Sequence, residues 1–497
     1  MFFEKDHGTM TVAQGQAPAG GSNSGSPAPQ KSSLYEDHSK VYVREITGTF
    51  RTIKWWFMGI LFAIFYLTPW LRWDRGEGAP EQAIILDVPT RKFYLFNFEI
   101  WPQEIYYLTG ILVVSAIGLF FVTSLVGRVW CGFACIQTVY TDAFVAIERW
   151  IEGGRTKRIR LDKEPMTAAK AWKKSLKYTL WMLLSLVTAY GFLMYFYDAP
   201  TETWNILTLQ ASSFTYGFIA IGGVLTFLLA GFAREQVCIY MCPWPRFQSA
   251  MLDEDSMIVT YEAWRGEPRM PVKGGQRQEG AGDCVDCGLC VQVCPTGTDI
   301  RKGVQLSCIG CGLCIDACNG IMKRFGREGY LINYDSESRQ LHKARGENPK
   351  INFLRPRTLL YFAALLIIST VMITHMATRS RLEVNVMHGR QPLFVRLSDG
   401  SIRNDYEFKI LNMEPKSNTF ELRLEGVEGA SMRVTGHQDA WVDRVTLPVA
   451  GNTVGEFRIF VKVPRENIKS RSSELEFVLV NVATGEEVDY DTLFAAP

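Results

Sequence analysis

The chain has 497 residues, 53 of them Lys or Arg and 51 Asp or Glu, so its net charge is only +2. At about 150 residues per domain, that length allows roughly three folded units. With 47% hydrophobic residues and near-neutral charge, the chain is neither a disordered polymer nor a nucleic-acid binder acting through bulk positive charge. The mean hydropathy of +0.01 reads as an average over a membrane part and a soluble part. All twelve cysteines fall between Cys131 and Cys318, whereas a secreted disulfide framework would spread them along the domains it staples. Metal chemistry is therefore the first expectation.

Residues 1–41 are rich in Gly, Ser, Ala and Pro with no apolar run, which predicts a disordered cytoplasmic tail without a cleaved signal peptide. Five apolar runs follow: Ile53 to Leu71, Ile105 to Val126, Tyr178 to Tyr197, Phe214 to Phe232 and Leu359 to Met376. Each approaches the ~20 residues that cross a hydrocarbon core. Trp55, Trp56, Trp70 and Trp73 flank the first, as interfacial tryptophans do. Residues 127–178 hold a dense set of Arg and Lys between Arg128 and Lys177, whereas 198–213 hold none. The positive-inside rule then places the N-terminus, 127–178 and 233–356 in the cytoplasm, and 72–103, 198–213 and everything after 377 outside. The apolar stretch from Phe93 to Ile100 is expected to lie on the membrane surface.

After the last span the pattern changes. Tyr406 to Leu411, Thr419 to Leu424, Glu456 to Val463 and Glu474 to Val480 alternate apolar and polar residues, the period of half-buried strands. About 115 residues of short strands predict an immunoglobulin-like sandwich, here without a cysteine. The expected fold class is a multidomain membrane protein. Its parts are a transmembrane bundle of four spans (42–250), a cytoplasmic ferredoxin-like insert (251–350), a fifth span (351–380) and the C-terminal β-sandwich (381–497).

The strongest chemical signal is Cys284-x₂-Cys287-x₂-Cys290-x₃-Cys294, followed by Cys308-x₂-Cys311-x₂-Cys314-x₃-Cys318. This tandem spacing is the two-cluster ferredoxin pattern. Three cysteines two residues apart wrap one corner set of a cubane, and the fourth comes from the other half. Cys284, Cys287, Cys290 and Cys318 are expected to hold one [4Fe–4S] cluster, and Cys308, Cys311, Cys314 and Cys294 the other. Paired Cys₄ zinc sites are the bland alternative. The first run ends in Cys294-Pro295 and the second in Cys318-Asn319, which alters the text of the motif more than its ligands.

The other four cysteines form two pairs, Cys131-x₃-Cys135 and Cys238-x₃-Cys242, at the expected cytoplasmic ends of the second and fourth spans. A spacing of four predicts two thiols stacked on one helical face. Two such faces suit a copper ion or a third metal centre, with Met241 as a soft neighbour; a redox dithiol or plain packing is the alternative. Met372, His375 and Met376, with Met387 and His388 beyond, offer a copper-receiving site outside, although interfacial packing explains them as well. No Walker loop, dinucleotide fingerprint or hydrolase motif is present. The basic 155–177 stretch is read as a topology signal or a contact with anionic lipid, not a nucleic-acid site.

From about Tyr42 onward, the order of these features resembles the FixG/RdxA/CcoG family of cytochrome c oxidase accessory proteins. The resemblance rests on Cys131-Gly-x-x-Cys135, Cys238-x₃-Cys242-Pro-Trp-Pro-Arg-Phe-Gln248, the tandem ferredoxin run and the terminal sandwich. It implies a protein of the bacterial inner membrane that reduces Cu(II) to Cu(I) for copper-centre assembly of a haem–copper oxidase. The eight ferredoxin cysteines would then carry electrons from a cytoplasmic donor, and Cys131, Cys135, Cys238 and Cys242 would bind copper or act as redox groups. Oxidase subunits or copper chaperones are the implied partners. Two rivals stay open: a quinol dehydrogenase-like membrane electron conduit, and a non-catalytic assembly scaffold.

Overall fold

The computed structural model describes residues 40–497, except 77, 78, 273–278, 348, 381, 415 and 469. The tail expected over 1–41 thus lies, but for its last two residues, outside the described residues.

Long apolar helices dominate the first half: α1 (Thr49–Leu67), α2 (Ile105–Val126), α3 (Val129–Phe133), α4 (Ile136–Glu152), α5 (Arg155–Lys163), α6 (Ala168–Leu193) and α7 (Ser213–Thr226). Local chemistry sets their ends. Thr167 and Ser212 accept the Lys170 and Thr215 N–H groups as N-caps of α6 and α7, and Gly127, at φ 61°, stops α2. α7 runs on as π-helical turns over Phe227–Ala233 and Val237–Met241, and a short helix α8 (Trp244–Met251) follows. A later apolar helix, α10 (Pro356–Thr378), opens with proline at its first position, where the missing N–H costs nothing.

α2 and α10 are antiparallel neighbours. His375 Nδ1 meets Tyr107 OH at 2.7 Å at one end, and Arg355 Nη2 donates to the Ser124 carbonyl at 2.7 Å at the other. α6 and α7 also pair antiparallel, with Phe192 stacked on Phe218 and the bare face of Gly222 and Gly223 against Ala189 and Leu186. None of the most apolar window of α10 is buried, as befits a helix solvated by lipid rather than protein.

Among the described residues, six helical segments are long and apolar enough to cross a membrane, one more than the five expected. Five overlap the expected runs; the sixth, Val129–Glu152, falls in the predicted cytoplasmic connection. Its acids hide it from a search for unbroken apolar runs. Glu148 is met by Arg234 (2.9 Å), Arg158 (3.3 Å) and Lys177 (3.6 Å), Glu152 by Lys174 (2.8 Å) and Lys177 (2.9 Å), and Asp142 by Arg51 (2.9 Å). Most of these groups are buried, so their desolvation is offset by close opposite charge.

The stretch from Phe93 to Ile100 belongs to a three-stranded meander, β1 (Ile84–Asp87), β2 (Lys92–Leu95) and β3 (Phe98–Ile100). Tyr94, Ile100 and Trp101 are buried there, and Lys92 Nζ sits 3.4 Å above the Trp101 ring. The meander hangs on the turn after α6 through Leu86 N–H to the Tyr195 carbonyl (2.8 Å) and reaches the C-terminal domain through Lys92 Nζ to the Asn452 carbonyl (2.9 Å).

The cysteine-rich insert is framed by a two-stranded ladder, β4 (Ile258–Tyr261) against β5 (Ile332–Asp335), with α9 (Leu313–Arg324) packed on it. The C-terminal domain is a sandwich. One sheet has the order β11-β10-β13-β8-β6 with β7 also on β8, and the other β12-β9-β14-β15. The strands are β6 (Leu382–His388), β7 (Val395–Arg396), β8 (Ile402–Asn412), β9 (Asn418–Glu425), β10 (Ser431–Val434), β11 (Gln438–Val442), β12 (Arg444–Val449), β13 (Thr453–Val463), β14 (Ser472–Asn481) and β15 (Glu487–Ala495). The four alternating segments read from sequence lie inside β8, β9, β13 and β14. Their inward residues Tyr406, Phe408, Phe420, Leu422, Ile459, Phe477 and Leu479 form the core, which accounts for the period of two.

Candidate functional site

The cysteine-rich insert consists of two similar turns. In each, a glycine in the left-handed region opens a short helix: Gly288 (φ 62°) before Leu289–Gln292 and Gly312 (φ 70°) before α9. The turns gather the eight cysteines into two sets. Cys284, Cys287, Cys290 and Cys318 line one small cavity, walled otherwise by groups such as Tyr261, Leu331 and Ile332. Cys294, Cys308, Cys311 and Cys314 line a second, with Cys290 also in its wall, so the two cavities adjoin. Each run of three therefore borrows its fourth cysteine from the other run.

No disulfide joins any of the twelve cysteines. Burial pushes the Cys290 thiol up to about 11 and the Cys311 and Cys318 thiols up to about 12, so without a cation they stay protonated at neutral pH. Among the described residues, no three His, Cys, Asp or Glu groups converge as ligands of one ion. Four cysteines around each of two adjoining cavities, with no three placed on one ion, fit a cubane better than a single zinc. Arg301 lines the first cavity and is held by Asp299 (2.8 Å), which leaves a fixed positive charge beside Cys290. Cys287 of the first set is exposed, whereas in the second set Cys294, Cys308 and Cys314 are half-buried and Cys311 is buried.

The second set faces the helices. A Cβ on Gly132 would lie 2.9 Å from the Cys311 Cα and the Ile309 carbonyl oxygen, so the Cys308–Cys314 turn rests on bare backbone at Cys131-Gly132. Asp316, between Cys314 and Cys318, accepts the Arg51 N–H at 2.8 Å and the Phe50 N–H at 3.3 Å, and so caps α1 from the insert. Met257 N–H donates to the Leu125 carbonyl at 3.0 Å and Ser256 Oγ to the Ser124 carbonyl at 2.8 Å, which fixes the insert to the end of α2.

The four remaining cysteines lie in the neighbourhood of this contact, although among the described residues no three of them are placed as ligands of one ion. Cys238 lies within electrostatic reach of Cys131, Cys135 and Cys242, and Cys131 within reach of Cys242. The expected stacking on one helical face is not what the structure shows. Cys131 is in α3, but Cys135 is extended (ψ 128°) and begins α4; Cys238 is in a π-turn, but Cys242 is extended (ψ 124°) and ends it. Pro243 explains the second break, because a residue before proline avoids the helical region. Both breaks close alike: the Cys135 N–H donates to the Trp130 carbonyl (2.9 Å) and the Cys242 N–H to the Val237 carbonyl (2.8 Å), each five residues back. Met241 is 62% exposed.

Three groups that sequence reasoning passed over complete the site. Arg128 is buried and lies within electrostatic reach of Cys131, Cys238 and Cys308, so it spans both cysteine systems. Gln248 is fully buried, accepts from Cys131 Sγ (3.0 Å) and donates to Thr123 Oγ1 (3.3 Å). Arg234, four residues before Cys238, has the uncommon φ of 37° and is held by Glu148 and by its own Nε to the Gly231 carbonyl (2.7 Å). Gln248 stood in the quoted Cys242 motif, whereas nothing in the local sequence distinguishes Arg128 or Arg234.

The outer candidates do not assemble. His375 is bonded to Tyr107, and Met372 packs at Gly110, which is helix packing between α2 and α10. Met387 and His388 are consecutive on β6 and point to opposite faces, with His388 against the Tyr406 ring.

Two comparisons bear on these features. Residues 233–337 match a family described as a 4Fe-4S dicluster domain, and residues 372–497 match the Ig-like fold at the C-terminal of FixG. With the cysteine-walled cavities and apolar helices, they define an iron–sulfur protein with a redox role, a helical membrane part and an immunoglobulin-like domain. The Rhizobium meliloti nitrogen fixation protein FixG is 42% identical over 493 residues, covering 93% of this chain and 94% of its own. In Cereibacter sphaeroides, protein RdxA is 44% identical (87% and 91% covered) and protein RdxB 41% (94% and 98%). The chain belongs to the FixG family. A solved structure of a FixG-related protein from Vibrio parahaemolyticus aligns with 24% of this chain and 97% of its own at 16% identity, with a TM-score of 0.21.

Proposed function

We propose that this protein reduces Cu(II) to Cu(I) at Cys131, Cys135, Cys238 and Cys242, and that the product serves copper-centre assembly of a haem–copper cytochrome c oxidase. The observation that carries the reading is the seating of the second cysteine cavity on Cys131-Gly132, beside Cys238, which lies within electrostatic reach of Cys131, Cys135 and Cys242. Cys284, Cys287, Cys290 and Cys318 would hold one cluster, and Cys294, Cys308, Cys311 and Cys314 the other. When bound, the clusters supply one-electron reducing capacity. The chain's own residues do the rest. The thiolates favour the soft Cu(I) product, and the buried Arg128 charge favours the ion of lower charge. Gln248 fixes Cys131, and the Arg234–Glu148 pair fixes the turn that bears Cys238. The exposed Cys287 edge is the face open to a cytoplasmic donor, and the sandwich docks oxidase subunits or copper chaperones outside.

This reading uses five crossings of the bacterial inner membrane. The insert follows α7 yet packs on the end of α2, so the chain crosses an even number of times between them. α6 and α7 supply two, and Val129–Glu152 then stays on the insert's side, where the basic 127–178 connection marks the cytoplasm. The test is the double variant Cys131→Ser/Cys242→Ser in anaerobically purified protein. Copper reduction by dithionite-reduced protein is expected to fall at least about a hundred-fold while the iron–sulfur absorption persists. Full activity would overturn the copper site, and about twelve irons per chain in place of about eight would make the four cysteines a third cluster site.

A further inference from the structure

The outward face of the sheet built on β8 and β13 carries its charge unevenly. Near the end tethered to α10, Lys409 bridges Glu407 (3.0 Å) and Glu456 (2.9 Å), so acid there meets base. Toward the other end the cations gather. Phe460 on β13 has Arg458 and Lys462 two residues away on either side, on the same face. Arg433 on β10 stands directly opposite Phe460, and Arg403 on β8 stands opposite Lys462. The guanidinium carbons of Arg403, Arg458 and Arg433 lie 4.5, 5.4 and 5.7 Å from the centre of the Phe460 ring, and Lys462 Nζ lies 5.5 Å from that of Trp441. Two of these charges are matched: Arg458 donates to Asp405 (3.0 Å) and Lys462 to Asp399 (2.6 Å). Among the described residues, Arg403 and Arg433 have no carboxylate partner and donate no side-chain hydrogen bond.

Covering an aromatic ring with long stems accounts for one such cation. It does not account for the set. Arg403 and Lys462 are a like-charged pair placed directly across two strands, which weakens a sheet, and three guanidiniums share one ring. We propose that this face docks an acidic segment of a partner protein, with carboxylates on Arg403 and Arg433. A guanidinium fork takes a carboxylate through two parallel hydrogen bonds, and the sheet holds the two forks on either side of Phe460. Position argues against lipid headgroups as the anion. Asn412 pairs with Leu382 at the α10 end, and Arg403 stands about 30 Å further along β8, several screening lengths away at physiological salt. The inference rests on the reading that the sandwich receives a partner, and gives that meeting a face and a chemistry.

The test uses the full-length protein in phosphatidylcholine nanodiscs. Its probe is a fluorescein-labelled decapeptide of alternating glutamate and serine, with benzoylphenylalanine at the centre. The peptide is expected to bind more weakly as salt rises, and to photocross-link to β10 and β13 around Phe460. Arg403→Glu/Arg433→Glu should weaken binding about ten-fold or more, and the milder Arg403→Gln/Arg433→Gln several-fold. Arg444→Glu, exposed on the opposite sheet, should leave it unchanged. Cross-links confined to other segments, or undiminished binding in both double variants, would overturn the proposal. So would loss of binding in phosphatidylglycerol nanodiscs, which gives the face to lipid headgroups. Copper reduction by dithionite-reduced protein is measured on the same samples. Peptide binding without copper reduction defeats the copper reading alone, and copper reduction without peptide binding defeats this one alone.

Discussion

The two cysteine systems use the same side chain in opposite ways. The eight cysteines of the insert come from one stretch, Cys284 to Cys318, and their own turns and glycines shape both cavities. The other four come from segments about a hundred residues apart, and are set by groups remote from them in sequence: Gln248 on Cys131, and Glu148 on the Arg234 that precedes Cys238. A local motif carries its geometry with it, whereas an assembled one borrows its geometry from the bundle. Substitutions outside the cysteines should therefore harm the second system first.

The largest effect tests the crossing of ligands in the insert. Cys284→Ser and Cys318→Ser should each remove about half the iron, and the two together no more than either. Cys284→Ser with Cys308→Ser should remove nearly all of it. Iron analysis and EPR decide, and additive loss in the first pair would break the assignment of Cys318.

Glu148→Ala comes next. It leaves Arg158, Lys177 and Arg234 without their shared buried partner, at a cost of about 3–5 kcal/mol. Thermal unfolding should shift downward and copper reduction should fail, while the iron–sulfur spectrum remains. Loss of iron in step with copper reduction would show that the two systems are not separable.

Gly132→Ala is the finer probe. The new Cβ must displace the Cys311 backbone, at about 1–3 kcal/mol, and should slow copper reduction about ten-fold at full iron content. An unchanged rate would show that the seating of the second cavity does not matter.

The smallest effect is the pH slope contributed by the buried thiols of the insert. The folded, iron-free protein holds protons on Cys290, Cys311 and Cys318 that the unfolded chain releases near pH 9. Raised folded values mean that stability is complete below pH 9 and declines as pH climbs toward about 12. Chemical denaturation at stepped pH reads this directly, and a stability that rises over that window would contradict the burial of these thiols.

The same contrast explains what the sequence makes legible. The tandem cysteines, the five apolar runs and the alternating strands β8, β9, β13 and β14 are written in local periodicity. Val129–Glu152 is not, because the charges that disqualify it as an apolar run are cancelled by residues of α1, α5 and α6 and by Arg234 between the two π-helical stretches. The break at Cys242 carried a signal in Pro243, whereas the break at Cys135 carried none. The meander over 84–100 was hidden because its strands are only three or four residues long, too short for a period to show.

Only three residues separate Thr378, the last of α10, from Leu382, the first of the sandwich. Fully extended, they reach about 10 Å. Arg379 is clamped to Glu104, and Lys92 holds the far side at Asn452. A domain on so short a leash cannot sweep the space around it. It stands like a turret at one height and one bearing, so any partner it receives must come to it already oriented, and lengthening the leash by a few glycines would turn a directed meeting into a random one.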